Sequence, residues 1–390
     1  MKEGDISLTN VVRVFALSLL AFGMFMYPQE VLNSANGGLA LWWRFVLPAL
    51  LPFFILSELL MASGFVHFLG VLLESIMRPV FRLPGKASFV VAMGYTSGFP
   101  MGAVLTARLR KEGEISREEG ERLLAFTNNP SPGFMFGAVA SGMLGKPALG
   151  LLLACSVYLA NLIVGFIYRF YRVTSRPQQT LQYPSFKRAW NEMNNAQIRD
   201  KRTFGQVLGD AVKQSINTVL MVAGFMAFFS VILRLLNLWH ITLFLATLSH
   251  SIIPILQIPV FYALYNGLFE MTLGCQEAIR ALSALHQQVA LLALLMGWGG
   301  LSVFAQVAGL ISGTDLRFSS FVIARALQAF IAMGLSQLFL WVAKVPTSTL
   351  TLQVPDSSVL VWNTWHLSSL VFIGMMGTLL ILALGRVRDS

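Results

Sequence analysis

Cysteine and charge are both scarce in this chain. Cys155 and Cys275 are the two cysteines among 390 residues. Both stand in apolar stretches without a pairing pattern or metal spacing, so no disulfide framework is expected and small buried packing is the role assigned to each. Charged residues make up 12% of the chain and hydrophobic residues 56%, a balance that excludes a soluble fold and fits a polytopic membrane protein. The histidines, His67, His240, His250, His286 and His366, are scattered, with no i,i+4 pair and no Cys or Asp beside them, so neither a zinc site nor metal catalysis is expected. No Walker-type glycine loop and no nucleophile elbow occur, which argues against an ATP-driven pump and against a hydrolase. No enzyme activity and no cofactor are therefore expected. The net charge of +10 does not point to nucleic acid, because the Lys and Arg residues lie between apolar runs and form no basic face; they read as orientation signals for a chain in a lipid bilayer.

The apolar runs that remain predict an all-α polytopic membrane protein. The first, at 11–27, reads as a retained span, because no small-x-small cleavage site follows it. A polar external loop is expected at 28–38, making 1–38 an N-terminal unit. The first repeat, 39–170, begins with a span over 39–60 that contains Arg44 and Glu58, too far apart on one helix to pair and assigned interfacial roles. An amphipathic segment at 66–81 suits the membrane interface. Within 87–109 the centre reads Gly94-Tyr-Thr-Ser-Gly-Phe-Pro-Met-Gly102, turn-forming residues in the middle of an apolar run, and predicts a re-entrant hairpin whose basic flanks, Lys86 and Arg108, Arg110 and Lys111, share the cytoplasmic face. Ser116 and Glu119 form a capping box, so a helix starts near Arg117. This helix, at 117–144, breaks at Thr127-Asn-Asn-Pro-Ser-Pro-Gly133, and a span at 147–170 returns. A basic cytoplasmic linker follows at 171–203.

The second repeat, 204–343, keeps the order: a span at 204–236, an apolar segment at 239–256, a hairpin at 259–278 with the centre Gly267-Leu-Phe-Glu-Met-Thr-Leu-Gly274, a helix at 289–312 broken at Gly297-Trp-Gly-Gly-Leu-Ser302, and a span at 319–343. An external loop and C-terminal span complete 344–390. The count is about eight spans plus two hairpins, with both termini cytoplasmic and the halves inverted, so that the two hairpins enter from opposite faces. Paired interrupted helices in two halves of one chain point to a transporter's binding site.

The runs Gly98-Phe-Pro-Met-Gly-Ala103, Leu109-Arg-Lys-Glu-Gly-Glu-Ile-Ser116 and Asn128-Asn-Pro-Ser-Pro132, with Gly267-Leu-Phe-Glu270 and Gly297-Trp-Gly-Gly-Leu-Ser-Val-Phe-Ala-Gln306, resemble the YlbJ (SpoVV) family of sporulation integral membrane proteins. That family lies within the nucleoside-recognition or Gate group, similar in architecture to concentrative nucleoside transporters. The resemblance covers nearly the whole chain. It implies inverted halves meeting at mid-membrane and transport of dipicolinic acid from the mother cell across the outer forespore membrane of a spore-forming bacterium. One departure stands out: where nucleoside transporters carry a Gln/Glu-containing first hairpin, this tip reads Thr96-Ser-Gly-Phe-Pro-Met-Gly102, which disfavours a nucleoside. A nucleoside or other small solute, and a structural role with the 171–203 loop recruiting partners, are the alternatives.

A small aromatic dianion needs donors and positive potential, which half-helix N-termini supply. The site is expected where 96–102, 127–133, 270–274 and 297–302 converge, with Ser97, Gly98, Thr127, Asn128, Asn129, Ser131, Glu270, Thr272, Trp298, Ser302 and Gln306 as substrate-binding residues. Trp298 or Phe99 either stacks on a ring or packs. Glu270, an acid inside an apolar hairpin, binds a coupling cation, carries a proton, pairs with an Arg or hydrogen-bonds the turn. Arg325 either reaches headgroups or faces the path. A coupling ion, Na⁺ or H⁺, and a homo-oligomer are left open.

Overall fold

The computed structural model describes residues 8–172 and 185–343, and all regular structure among them is helical. The expected external loop at 344–364, the last span at 366–384 with His366, and the first part of the linker lie outside the described residues. In the first half the helices are α1 (Leu8–Met26), α2 (Pro28–Leu41), α3 (Leu47–Ala62), α4 (Phe65–Phe81), α5 (Ala87–Ser97), α6 (Met101–Lys111), α7 (Arg117–Phe126) and α8 (Leu149–Tyr168), with π-helical stretches at Trp42–Val46 and Gly133–Met143. After α9 (Phe186–Arg199) come α10 (Phe204–Leu238), α11 (Ile241–Ile252), α12 (Ile258–Phe269), α13 (Met271–Ala281), α14 (Leu285–Trp298), α15 (Gly300–Ile311) and α16 (Phe318–Val342).

Four helical runs are long and apolar enough to cross a membrane: α8, α10, α14 and α15 taken together, and α16. Two bent pairs, α1–α2 at 101° and α3–α4 at 82°, raise the number to six. At 1.5 Å per residue α10 is about 50 Å long and overreaches a hydrocarbon core of about 30 Å. Large apolar side chains face outward along these runs, as lipid-facing surface requires: Phe15, Phe25, Phe330 and Trp341 are 68%, 85%, 64% and 78% exposed.

Two segments differ from the sequence reading. The stretch 28–38, expected as a loop, is helix α2: Pro28 sits in its first turn, where a missing N–H costs nothing, and Glu30 complements the helix N-terminus. The linker carries α9, capped by Ser185, whose buried Ala189 and edge-on Phe186 lean on α4; Phe186 meets Phe68 with ring centroids 5.5 Å apart. Its polar average concealed an apolar stripe, Phe186, Ala189, Trp190 and Met193 at i, i+3, i+4 and i+7, through which the helix docks on its neighbours.

The interior divides into packed clusters. One joins α3 to α6 with Val219, Val222, Ala223 and Met226 of α10, and another joins α8, α12, α13, α14 and α16. A third links the halves directly, with Ala103, Ala107 and Leu124 packed among Val303, Phe304, Val307 and Phe321.

Charged residues gather at one end of the molecule. Arg110 makes a two-pronged pair with Asp315 at 2.8 and 2.9 Å, Lys86 pairs with Glu114, and Arg108 pairs with Glu58. Glu58 is thus not an isolated interfacial residue: it holds α3 to the end of the first hairpin. Glu121, 0% exposed, accepts from Arg117 Nε at 3.0 Å, Tyr171 Oη at 3.0 Å and the Arg317 amide at 3.1 Å, tying α7 to the ends of α8 and α16. Both ends of the α5–α6 hairpin belong to this cluster through Lys86 and Arg110. At the far end of α16, Gln337 donates to His286 O, and Gln288 closes the α13–α14 corner on Leu282 O and Ile279 O.

Burial sets the rank of these pairs. Arg110 holds the Asp315 carboxyl below its usual range, chiefly by hydrogen bonding, so its contribution is present at neutral pH and is lost as pH falls through the acid range. Asp315 is 47% exposed, and Asp315→Asn is expected to cost under about 1 kcal/mol. Glu121→Ala, which removes a fully buried acceptor from three part-buried donors, is expected to cost about 3 kcal/mol. Thermal unfolding of the purified variants in detergent measures the difference; equal losses would contradict this ranking.

Candidate functional site

The end of a helix leaves its last carbonyls without intrahelical partners, and inside a bilayer no water is there to satisfy them. Helix α7 stops at Phe126, and each freed carbonyl meets a side chain. Thr127 Oγ1 donates to Leu123 O at 2.8 Å and Asn128 Nδ2 to Leu124 O at 3.1 Å. Arg325 Nη2 of α16 donates to Ala125 O, and Asn161 Nδ2 of α8 to Phe126 O. The chain then runs on with the same economy. Arg325 Nη1 donates to Asn128 O, the Phe99 amide to Asn129 O at 2.8 Å, and Tyr158 Oη to Pro130 O at 3.2 Å.

The remaining carbonyl, Thr127 O, lies in the fork of the hairpin. A Cβ placed on Gly94 of α5 or on Gly102 of α6 would stand 2.2 Å from it in either case, so both arms close on the broken strand only because these positions have no side chain. Asn128 Oδ1 accepts from the Ala103 amide at 2.9 Å, which fixes the start of α6. Beyond the break the chain resumes as the π-helical stretch Gly133–Met143; three glycines in it weaken the α-helical preference, and packing sets its form.

The second half breaks more sharply. Helices α14 and α15 are separated by Gly299 alone, and Gly299 and Gly300 have φ of +90° and +85°, a left-handed turn for which glycine is suited. Helices α12 and α13 are separated by Glu270, whose Oε2 accepts from the Leu273 amide at 2.7 Å and caps α13. Of the roles open to Glu270, the turn hydrogen bond is the one observed here. Trp298 Nε1 donates to Leu268 O at 3.2 Å, and its ring packs on Phe304 with centroids 4.4 Å apart; Trp298 is a strut between the second break and the second hairpin.

The four interruptions meet. Phe99 at the first tip lies against Gly299, a Cβ there being 3.1 Å from its ring, and Gly300 lies against the 269–271 backbone. Of the residues singled out in the sequence, Ser97, Gly98, Thr127, Asn128, Asn129 and Ser131 form one cluster, Gly98 abutting Ser131. Glu270, Thr272 and Trp298 form a second across the Phe99–Gly299 contact. Ser302 and Gln306 are buried on α15 and make no side-chain hydrogen bond among the described residues. Ser97, Thr127, Asn128 and Asn129 are all 0% exposed, so this cluster is closed to solvent.

Of the two roles left open for Arg325, reaching headgroups is not the one observed: two turns into α16, it is 0% exposed and bound at the break. Asn161, Tyr158 and Gln328 escaped the sequence reading. Gln328 Nε2 donates to Asn129 Oδ1 at 2.9 Å. The available signal was spacing: Tyr158 and Asn161 on α8, and Arg325 and Gln328 on α16, are polar pairs three residues apart inside apolar runs, each on one helix face. Cys155 is exposed on α8, against the buried role expected of it; Cys275 is buried.

The chain is 44% identical over 335 residues to the sporulation integral membrane protein YlbJ of Bacillus subtilis, an alignment that covers 83% of this chain and 82% of that one. The chain belongs to the YlbJ family. It is also 24% identical, over 84% of its length and 68% of the other's, to an uncharacterized protein of Alkalihalophilus pseudofirmus. A family model described as nucleoside recognition, Gate, matches residues 43–170. No solved structure matches the chain. The Gate segment contains the first hairpin, the first break, Tyr158 and Asn161, whereas Arg325 and Gln328 reach the same break from outside it. In this YlbJ-family chain the first site is therefore completed by the second half.

The glycine fork gives a direct test. Gly102→Ala forces α6 off Thr127 O and is expected to lower stability by about 1–3 kcal/mol, the range for overpacking a filled interior. The same change at Gly137, which has no atom within 4 Å of the added methyl, is expected to be neutral or stabilising. Thermal unfolding of the two variants checks the contrast.

Proposed function

We propose that this chain is a membrane transporter of a small organic anion, with dipicolinic acid as the first substrate to test, moved across the outer forespore membrane during sporulation. The observation that carries the reading is the tip-to-tip meeting of two hairpins and two broken helices, Phe99 against Gly299 and Gly300 against the Glu270 turn. Buried backbone irregularity of this kind is tolerated in a bilayer where it serves a solute path. Membership of the YlbJ family supplies the sporulation setting.

An inverted arrangement of the halves is part of the proposal. It is supported by the charged end that gathers both ends of α5–α6, while the α13–α14 corner adjoins the far end of α16. With the basic end taken as cytoplasmic, both termini are cytoplasmic and the hairpins open to opposite sides. Alternating access then consists of each tip leaving its break in turn. Helix α15 begins at Gly300 without a side-chain cap, so its first amides present partial positive charge beside the meeting point, suited to a carboxylate.

The Gate match supports a second reading, a nucleoside or other small neutral solute. Uptake of labelled dipicolinate into liposomes that contain the purified protein separates the two. Competition is expected from excess dipicolinate and not from uridine; the reverse pattern favours the nucleoside. Asn128→Ala removes two buried hydrogen bonds worth roughly 1 kcal/mol each and is expected to cut uptake about tenfold or more. Absence of uptake under sodium, proton and substrate gradients alike would overturn the proposal. Intact uptake after deletion of 173–184 would argue against a role in which the linker recruits partners.

A further inference from the structure

The first break contains a charge and three donors that the described residues leave unbalanced. Arg325 is 0% exposed, and its bonded acceptors, Ala125 O, Asn128 O and Asn161 Oδ1, are all neutral. No carboxylate pairs with it among the described residues. Arg325 Nε and Ser97 Oγ are buried without a hydrogen-bond partner, and Asn129 Nδ2, near the Tyr95 hydroxyl, makes no hydrogen bond of good geometry. The three belong to one cluster: Asn129 bonds Gln328, one turn from Arg325, and Ser97 precedes Gly98, which abuts Ser131.

Capping does not explain the charge. The neighbouring carbonyls of the same break are satisfied by neutral groups, Thr127 Oγ1, Asn128 Nδ2, Asn161 Nδ2 and Tyr158 Oη, and an amide at 325 could do likewise without the cost of desolvating a cation. A buried cation without a counter-charge and buried donors without acceptors are unfavourable in a low-dielectric interior, and they are retained where a ligand satisfies them. The ligand that answers a positive charge and three donors together is an anion with paired acceptor oxygens. Gln328 Oε1, the acceptor left unpartnered beside them, would take a donor, so water or a protonated group of the ligand suits that corner.

We propose that Arg325, Asn129 and Ser97 form a carboxylate-binding site at the first break, with Arg325 as the counter-charge of the bound anion. The proposal rests on the small-anion reading of this site and assigns the residues that select the anion. A neutral nucleoside would leave Arg325 unbalanced.

Binding of labelled dipicolinate to the purified protein, with thermal stabilisation by acetate, benzoate and succinate, tests it. Ser97→Ala removes a hydroxyl that has no protein partner, so the fold is expected to be unaffected while carboxylate binding weakens several-fold. Asn129→Asp keeps the acceptor for Gln328 and supplies an internal carboxylate beside Arg325. It is expected to unfold at no lower temperature than wild type and to bind carboxylates about a hundredfold more weakly or worse. Arg325→Gln is expected to abolish the preference for dipicolinate over its neutral dimethyl ester, and Arg325→Lys to retain part of it. A purely structural Arg325 predicts that folded variants keep that preference, and this result would overturn the proposal, as would a wild-type protein that binds no carboxylate of the set. If Arg325→Gln does not fold, Ser97→Ala and Asn129→Asp decide. Carboxylate binding lost in these variants, in a protein that moves no dipicolinate into liposomes, would leave the site standing and remove the transport reading.

Discussion

A backbone carbonyl freed in a buried interior must find a donor, and the structure around the first break follows from that requirement. Ending α7 at Phe126 releases four carbonyls, and the extended residues after it release more. Two donors come from the break itself, Thr127 and Asn128; the others come from the hairpin tip, from α8 and from α16. The break therefore exists only in the company of these elements. This explains why α16, from the other half of the chain, is bound to the first; Thr127 O, which takes no donor among the described residues, is accommodated by the space at Gly94 and Gly102.

The second half meets the same requirement by different means. Its interruptions are one residue each, with glycine geometry at 299–300 and a carboxylate cap at 270; the Gly299 amide donates to Leu295 O, the Glu270 amide to Asn266 O and Trp298 Nε1 to Leu268 O. The contrast divides the labour. The first break is rich in donors and carries Arg325; the second supplies an uncapped helix start, apolar walls at Trp298 and Phe304, and the surface on which Phe99 rests. A planar anion placed between them would meet charge on one side and aromatic and apolar surface on the other.

Much of this was legible in the chain. Interruptions stand out because Pro, Gly and Asn are costly in the centre of an apolar run, and the capping box at Ser116 and Glu119 formed as its spacing predicts. Elements that depend on partners for stability were harder to read. Helix α2 looks like a loop until Gly38 is found pressed against α10, where an added Cβ would stand 2.7 Å from Ser230 Oγ. Helix α9 is polar on average, and the apolar stripe by which it docks on α4 is short. The two readings of Arg325 stayed open because depth along a span says nothing about which face a side chain takes, and that face was decided by the carbonyls of a segment about two hundred residues earlier. The polar i,i+3 pairs on α8 and α16 were the trace it left.

The central claim is that the closed meeting point opens to one side at a time. Labelling of Ser97→Cys by a membrane-impermeant thiol reagent, in a protein whose Cys155 and Cys275 are replaced by alanine, reads this most directly. The account predicts reaction from either side of the membrane in separate experiments, slowed by dipicolinate in both. Reaction from neither side, or at a rate dipicolinate does not change, would contradict it.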